Sequence, residues 1–357
     1  MDNSFDVVVV GGGTAGLAGA LTLVRARRSV LVLDSGSPRN APAAHLHGYL
    51  GRDGASPGQL LAVGRAEVAG YGGAFRSGAA GTALAVDRLP DGGFLVRCAD
   101  GSAVRADRLL IATGLVDELP ELAGLQERWG RDVLHCPYCH GWEVRDEPIA
   151  VLATGPLAVH QAQLWRNWSE RVTLLAHTWP LTGEDRELMS ALGVAVVEGE
   201  VAGLDVVGDR LTGVTLAGGA AVPCTALVVA PRFTARAGVP RSLGLPVVTV
   251  ERAGVAIGTC LEADPETGAT ALRGVWAAGN VAGPWSSWPV RRRPACGRRC
   301  RSTPTCARRR PARPSKPTVR GGAARARRKA SGGGVGRTRR TGVRVSARVR
   351  PCRLSAV

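Results

Sequence analysis

The stretch DVVVVGGGTAG, residues 6–16, decides the fold of this 357-residue chain. Its run of valines is typical of a strand that is buried on both faces of a parallel sheet. A helical stretch, Leu17 to Arg27, follows the glycines, and a second apolar run, Ser29 to Leu33, ends at Asp34. Because strand, glycine-rich turn, helix and strand come in this order, the segment predicts a βαβ unit of the Rossmann type.

Each of the three glycines in the pattern G-x-G-x-x-G is required at its position for a physical reason. Gly11 allows the tight turn, Gly13 lets the backbone approach a pyrophosphate, and Gly16 lets the helix pack closely on the strand. The N-terminus of the helix then faces the phosphates, and Asp34 accepts hydrogen bonds from the ribose hydroxyls. The segment therefore predicts a dinucleotide site.

A second motif, CPYCH, occupies residues 136–140. Two cysteines separated by two residues can close a disulfide across a tight turn, and Pro137 stiffens that turn. His140 follows the second cysteine, and imidazole is the side chain best suited to moving a proton near neutral pH. We interpret Cys136, Cys139 and His140 as a redox-active dithiol with its own acid/base group.

The same pattern is also the attachment signature of c-type haem or, together with His135, half of a zinc site. Haem attachment requires export, and the N-terminal residues MDNSFD lack the basic region of a signal peptide. A zinc site requires a second pair of ligands, and the only other closely spaced cysteines, Cys296 and Cys300, lie in an unusual C-terminal segment. These points favour the redox interpretation.

The net charge of +17 is unevenly distributed along the chain. Residues 284–357 contain 21 Arg, 2 Lys and no Asp or Glu, so the preceding residues carry a net charge of −6. The apolar stretch from Val7 to Val24 is interrupted by five glycines, which argues against a membrane span. Nine cysteines in a chain of this length do not suggest a disulfide framework. We therefore expect a cytoplasmic protein that has no membrane segment.

Residues 148–175 repeat the first architecture in a degraded form. Residues 148–152 predict a strand, 159–168 a helix and 171–175 another strand. Ala153 stands where the first glycine is expected, and no acidic residue ends the last strand. An NADP 2′-phosphate is usually held by an Arg near this strand end, yet the nearest basic residue beyond the strand's own Arg171 is Arg186. The repeat predicts a second nucleotide site that lacks most of the usual ligands.

Together these features resemble the thioredoxin-reductase-like flavoproteins of the pyridine-nucleotide–disulfide oxidoreductase superfamily. The matching motifs are residues 11–16 with Asp34, Ala112-Thr113-Gly114, CPYCHG at 136–141, the degraded second loop, and T-x-x-x-G-V-W-A-A-G-N at 270–280. The resemblance implies an α/β fold with two Rossmann-like (three-layer ββα) nucleotide-binding domains, the second inserted in the first. The expected parts are an FAD-binding domain at 1–116 and 239–283, an inserted NAD(P)-binding-like domain carrying the CxxC at 117–238, and a disordered basic tail at 284–357.

The resemblance also implies the cofactors and the roles of the site residues. FAD is expected in the first domain, with NADPH in the second as an open alternative, and no metal is expected. The flavin-side thiol corresponds to Cys139 and the exchanging thiol to Cys136. The cofactor-binding residues that we predict are Gly11, Gly12, Gly13, Thr14, Ala15, Gly16, Asp34, Ser35, Arg39, Asn40, His47, Ala112, Thr113, Gly114, Gly155, Pro156, Ala158, Gly279 and Asn280. His45 and His47, in the polar loop 35–57, are either functional or ordinary surface histidines.

Two departures from the reductases bear on the direction of electron flow. The reductases carry an Asp where this chain has His140, and arginines where it has His177-Thr178-Trp179. The order Cys-x-x-Cys-His-Gly is more similar to the dithiol oxidases of the gliotoxin and holomycin kind, which close a disulfide in a small molecule and pass the electrons to oxygen. The expected partners are a thioredoxin-like protein or a small-molecule dithiol or disulfide, with a homodimer expected for an intact C-terminus.

Nucleic-acid binding is a function of another class that the basic tail suggests. Clusters of Arg and Lys release counterions from phosphates and give non-specific affinity. The tail has no aromatic residue after Trp288 on which a base could stack, and it has no recognisable fold motif. We therefore expect only non-specific contacts with nucleic acid.

We predict that the residues from about 284 onward come from a shifted reading frame. The hydrophobic periodicity ends there, and 23 basic residues follow without one acidic residue. Ala and Gly codons rich in G and C become Arg, Pro and Ala codons when they are displaced by one base. Reading the gene in its other two frames beyond the Gly279 codon tests this prediction. One frame should encode an amphipathic helix rich in Ala and Gly, and its absence from both would mean that the tail is genuine.

Overall fold

A computed structural model of the chain describes residues 3–284. Except for Pro284, the predicted tail lies outside the described residues, so its disorder, its shifted frame and its contacts with nucleic acid stay predictions. No helix within the described part of the chain is long and apolar enough to cross a membrane.

The described residues form nineteen strands and seven α-helices. The strands are β1 (Ser4–Val10), β2 (Val30–Asp34), β3 (Ala74–Ser77), β4 (Ala83–Arg88), β5 (Phe94–Cys98), β6 (Ala103–Ile111), β7 (Leu115–Glu118), β8 (Val133–Leu134), β9 (Ile149–Leu152), β10 (Val172–Leu175), β11 (Ala195–Val197), β12 (Val201–Val207), β13 (Arg210–Leu216), β14 (Ala221–Pro223), β15 (Ala226–Val228), β16 (Arg232–Ala235), β17 (Val247–Arg252), β18 (Val255–Leu261) and β19 (Val275–Ala277). The α-helices are α1 (Thr14–Arg25), α2 (Pro57–Gly70), α3 (Leu125–Arg128), α4 (Pro137–His140), α5 (Ala158–Trp165), α6 (Gly183–Ala191) and α7 (Gly238–Ser242).

The first sheet is built around β1, which is parallel to β2 on one side and to β6 on the other. Its strand order is β3-β2-β1-β6-β5-β4. The other edge of β6 is shared, because β5 pairs with its first half and β19 with its last residues. The chain therefore leaves this sheet after β6 and returns to the same strand at β19.

The second sheet consists of five parallel strands in the order β11-β10-β9-β15-β8. On one face, Val151 of β9 packs in a cluster with Trp165 of α5 and Met189 of α6. On the other face, Leu152 packs with Val214 of the antiparallel meander β12-β13-β14. Helices, parallel sheet and meander are thus stacked in three layers, and the predicted fold class of two Rossmann-like units is confirmed. The predicted boundaries between the domains stay predictions.

The structure differs from the sequence prediction in two places. The sequence predicts separate strands at residues 102–106 and 108–113, but β6 runs through both, because Ala106 and Arg108 both pair with β1. The fourth sheet, β17-β18-β16-β7, is not indicated by the sequence. The strand β16 is only four residues long, and β17 has a mostly exposed pattern, so neither has the apolar run that identifies a buried strand.

Candidate active site

One cavity of about 1490 Å³ runs from the end of β2 to the dithiol motif. Most of the predicted site residues line it. These are Gly11, Gly12, Gly13, Thr14, Ala15, Asp34, Ser35, Arg39, Asn40, Ala112, Thr113, Gly114, Cys136, Cys139, His140, Gly279 and Asn280. Gly16, His47, Gly155, Pro156 and Ala158 do not line it. The structure thus brings the two motifs together in one cavity, while the role of each residue stays a prediction.

The glycine-rich turn forms a backbone cradle at one end of this cavity. Gly11 has a φ of +112°, and a side chain there would collide with the carbonyl group of Ala112. A side chain at Gly16 would collide with the carbonyl oxygen of Gly11, so α1 can pack on β1 only through glycine. A Cβ atom at Gly13 would meet no atom within 4 Å, and no side chain caps α1 there. The first N–H groups of α1 therefore face open space, which suits a bound pyrophosphate.

Asp34 is held in place by a residue that sequence reasoning missed. The side chain of Arg65, on α2, donates a hydrogen bond to Oδ2 of Asp34, and the backbone N–H of Gly36 donates to Oδ1 at 3.2 Å. The Asp34 carboxylate is mostly buried, so the guanidinium stabilises its charge. Residues 34 and 65 are far apart in the sequence, and no local pattern indicated their contact.

The two cysteines of the motif form a disulfide, with their Cα atoms 5.3 Å apart. Cys136 precedes the single turn of α4, and Pro137 is the first residue of that turn. The backbone N–H of Cys139 donates to the carbonyl oxygen of Cys136 at 3.1 Å, and that of His140 donates to the same oxygen at 3.2 Å. The turn therefore brings the sulfur atoms within bonding reach through local hydrogen bonds alone.

Two histidines next to the disulfide are held largely neutral by burial. Burial is the main cause that lowers the pKa of His140; the Glu143 carboxylate raises this pKa and His47 lowers it. Burial likewise lowers the pKa of His135, whose Nδ1 lies 3.0 Å from the carbonyl oxygen of Val229. A neutral imidazole can accept a proton, so His140 is suited to act as a base for a thiol.

His47 and Arg39, which we predicted as cofactor ligands, have protein partners. Nε2 of His47 lies 3.3 Å from Oε1 of Glu143, and Nδ1 lies 3.5 Å from Oδ1 of Asp53. Arg39 donates from Nε and Nη2 to the two carboxylate oxygens of Asp117, each at 2.6 Å. Arg39 still lines the cavity, whereas His47 lies outside the lining. Neither pair was predicted from the sequence.

The degraded second loop, which begins at Ala153 after β9, has few of the ligands that a nucleotide site requires. Ala153 is fully buried, and its carbonyl oxygen accepts a hydrogen bond from the backbone N–H of Trp179 at 3.1 Å. A hollow of about 270 Å³ lies beside the end of β10, and Arg186 is the one arginine among its described lining residues. Arg186 is paired with Glu198. A 2′-phosphate at this strand end would therefore compete with Glu198 for Arg186.

Comparison with protein families agrees with this geometry. A family model described as pyridine nucleotide-disulphide oxidoreductase matches residues 5–301. The chain belongs to this family, and the family predicted from the motifs is confirmed. Members of the family bind FAD and use NADPH. The open cradle at Gly13, the carboxylate of Asp34 and the cavity that continues to the disulfide fit FAD.

Individual relatives support the same family. The thioredoxin reductase aclD of Aspergillus oryzae is 37% identical over 183 residues, which cover 48% of this chain and 56% of that protein. The thioredoxin reductase tcpT of Claviceps purpurea is 34% identical over 199 residues, which cover 54% of this chain and 61% of that protein. The chain thus spans little more than half the length of these curated relatives.

Two solved structures match over a larger share of their length. HlmI is 46% identical with a TM-score of 0.73, and the match covers 80% of this chain and 87% of that chain. An oxidoreductase from Agrobacterium tumefaciens is 35% identical with a TM-score of 0.72, and the match covers 80% of this chain and 92% of that chain.

The open space at Gly13 leads to a test of the cofactor site. Gly13→Ala places a methyl group where a pyrophosphate would approach, and it disturbs no protein atom. We expect a folded protein with much weaker flavin binding, measured as the flavin-to-protein ratio after gel filtration. Gly155→Ala is the matched control, because a Cβ there also meets no atom within 4 Å but the residue lies on the second loop. Equal flavin content in the two variants would contradict the cradle at Gly13.

Proposed function

We propose that this protein is an FAD-dependent thiol–disulfide oxidoreductase that exchanges electrons between the Cys136–Cys139 pair and an external thiol or disulfide. The observation that carries the proposal is that the disulfide lines the same cavity as the glycine cradle. A dinucleotide that starts at Asp34 and crosses the cradle therefore extends toward the two sulfur atoms. FAD, when bound, would take the electron pair of the reduced cysteines and pass it to an external acceptor.

The chain's own residues then carry out the exchange with a dithiol. A substrate thiolate attacks the sulfur of Cys136, the bond between Cys136 and Cys139 breaks, and Cys139 leaves as a thiolate. The second substrate thiolate attacks the substrate sulfur of this mixed disulfide, so the substrate disulfide closes and Cys136 leaves as a thiolate. The substrate has lost two electrons and two protons. His140 is the group that accepts a proton in these steps.

Two observations favour the oxidative direction, in which oxygen is the electron acceptor and the substrate is a small-molecule dithiol. His140 is held neutral by burial, as a base for substrate thiols requires. Arg186, beside the second nucleotide loop, is engaged by Glu198 and is a poor ligand for the phosphate of NADPH. The alternative is an NADPH-driven reductase of a thioredoxin-like protein, the activity that the names of the fungal relatives imply. We also propose that the protein is a homodimer and is located in the cytoplasm, as the resemblance to the family implies.

The direction of electron flow can be measured on the purified, flavin-loaded protein. We expect oxygen consumption with dithiothreitol as the dithiol, and no oxidation of NADPH with 5,5′-dithiobis(2-nitrobenzoate) as the disulfide. Rapid oxidation of NADPH that depends on the disulfide would instead establish a reductase. Absence of both reactions would contradict the proposed function.

The two cysteines should differ in what they do after one of them is removed. Cys136→Ser and Cys139→Ser should each abolish turnover, since neither variant can form the internal disulfide. Cys139→Ser leaves the exchanging thiol, so it should form a mixed disulfide with 5,5′-dithiobis(2-nitrobenzoate) faster than Cys136→Ser does, as followed by release of the thionitrobenzoate ion. Cys260→Ser is the control: burial raises the pKa of Cys260, which lies outside the cavity lining, so turnover should be unchanged. Full activity of Cys136→Ser would rule out the dithiol mechanism.

A further inference from the structure

The loop from residue 45 to residue 55 is folded on itself and presents one histidine to the dithiol segment. The backbone N–H of Leu46 donates to the carbonyl oxygen of Ala55 at 2.8 Å, and that of Gly54 donates to the carbonyl oxygen of Leu46 at 2.9 Å. Nδ1 of His45 lies 3.0 Å from the carbonyl oxygen of Gly54, and the side chain of Leu46 is buried. These contacts close the loop, so the position of His47 within it is defined.

His47 lies between two carboxylates. Its Nε2 is 3.3 Å from Glu143, which follows the dithiol motif in the chain, and its Nδ1 is 3.5 Å from Asp53 of its own loop. Asp53 also accepts a hydrogen bond from the backbone N–H of Gly48 at 2.8 Å, which lowers its pKa and keeps it charged. Both carboxylates lie within ion-pair distance of the ring, so His47 forms ion pairs with both of them when it is protonated.

The partner of His47 also acts on His140. Glu143 lies three residues after His140, and its negative charge raises the pKa of His140, whereas the charge of His47 lowers it. These two effects oppose each other and are superimposed on the larger effect of burial. Among the described residues, Glu143 and His47 are the charged groups that change the pKa of His140, and Asp53, Glu143 and the ring of His45 at 6.3 Å lie next to His47.

We propose that His47 is a positioning residue for the dithiol reaction: it holds the Glu143 carboxylate of the dithiol segment through a contact of 3.3 Å and, when protonated, offsets the charge of that carboxylate. The pair ties the loop 45–55 to the dithiol segment and sets how readily His140 accepts a proton. The effect of Glu143 and His47 on the pKa of His140 depends only on the geometry of the oxidised protein. Its consequence for turnover rests on the proposed function, in which His140 takes the proton of a thiol.

The electrostatic part is tested by following the histidine signals in NMR spectra of the oxidised protein as the pH changes. The chain has six histidines, and His140→Gln assigns the signal of interest. In His47→Gln the negative charge of Glu143 is no longer offset, so His140 should titrate at higher pH than in the wild type. In Glu143→Gln it should titrate at lower pH, because the charge that raises its pKa is gone. The double variant should lie between the two single variants.

Two controls distinguish an electrostatic effect on His140 from a general disturbance of the loop 45–55. Glu147→Gln removes an exposed carboxylate of the same segment, one that pairs with Arg171 at 3.7 Å, and should leave the titration of His140 unchanged. Both shifts should shrink at high salt, because Glu143 is partly exposed and its charge is screened. If His140 titrates as in the wild type in both single variants, the proposal is wrong and His47 only holds the loop.

Turnover provides the second readout. His140 accepts a proton only when it is neutral, so the acid limb of the pH profile should move to higher pH in His47→Gln and to lower pH in Glu143→Gln. His140→Ala should lose turnover by about 10²- to 10⁴-fold, the usual contribution of a general base. Shifts in the NMR titration without any thiol–disulfide turnover would support the electrostatic pair and refute the proposed function. Turnover without NMR shifts would support the proposed function and refute the electrostatic pair.

Discussion

The rest of the site depends on one constraint, which is the close packing of the backbone at Gly11 against the ends of the neighbouring strands. The N–H of Gly11 donates to the carbonyl oxygen of Leu33 at 2.8 Å, and the N–H of Ala112 donates to that of Val10 at 2.8 Å. The carboxyl ends of β1, β2 and β6 therefore meet at one point, and no side chain fits between them. Ligands of open α/β sheets bind outside these strand ends, so the same contact that packs the core also forms the cofactor cradle.

The dithiol reaches this cradle because it also follows the end of a parallel strand. β8 ends at Leu134, whose carbonyl oxygen accepts a hydrogen bond from the backbone N–H of Val229, just after β15, at 2.8 Å. The next residue, His135, lies against the carbonyl oxygen of the same valine, and Cys136 follows. Both sheets thus present their carboxyl ends to one cavity, which lies between the cradle of the first and the disulfide of the second. Electron exchange requires that the two groups lie close together, and the shared cavity provides this proximity.

Local patterns made the two Rossmann-like units and the disulfide predictable. Buried valine runs, glycine spacing and the CxxC spacing each act within a few residues of the chain, so the sequence alone indicates them. The pairs Arg65–Asp34 and His47–Glu143 join segments that are distant in sequence, and they leave no periodic signal. Helix α6 is a different case, because Thr182 and Asp185 form a capping box, which is a local pattern that the sequence does display. β16 and β17 owe their pairing to neighbouring strands, and their own composition is not diagnostic.

The residue after the second cysteine explains why charge matters at this site. An aspartate there, as in the reductases, would place a carboxyl group next to the Cys139 thiolate that forms when the disulfide opens. A histidine that burial keeps neutral adds no negative charge, and it can take up a proton that the substrate thiols release. Oxidation of a dithiol releases two protons, and neutral His140 can accept one of them, which is the proton transfer that the proposed oxidation requires. Glu143 places a carboxylate three residues further on, and Oε1 of this carboxylate lies 3.3 Å from Nε2 of His47. The site therefore places a base in the cavity that the disulfide lines, and it holds the carboxylate that acts on this base against a second histidine.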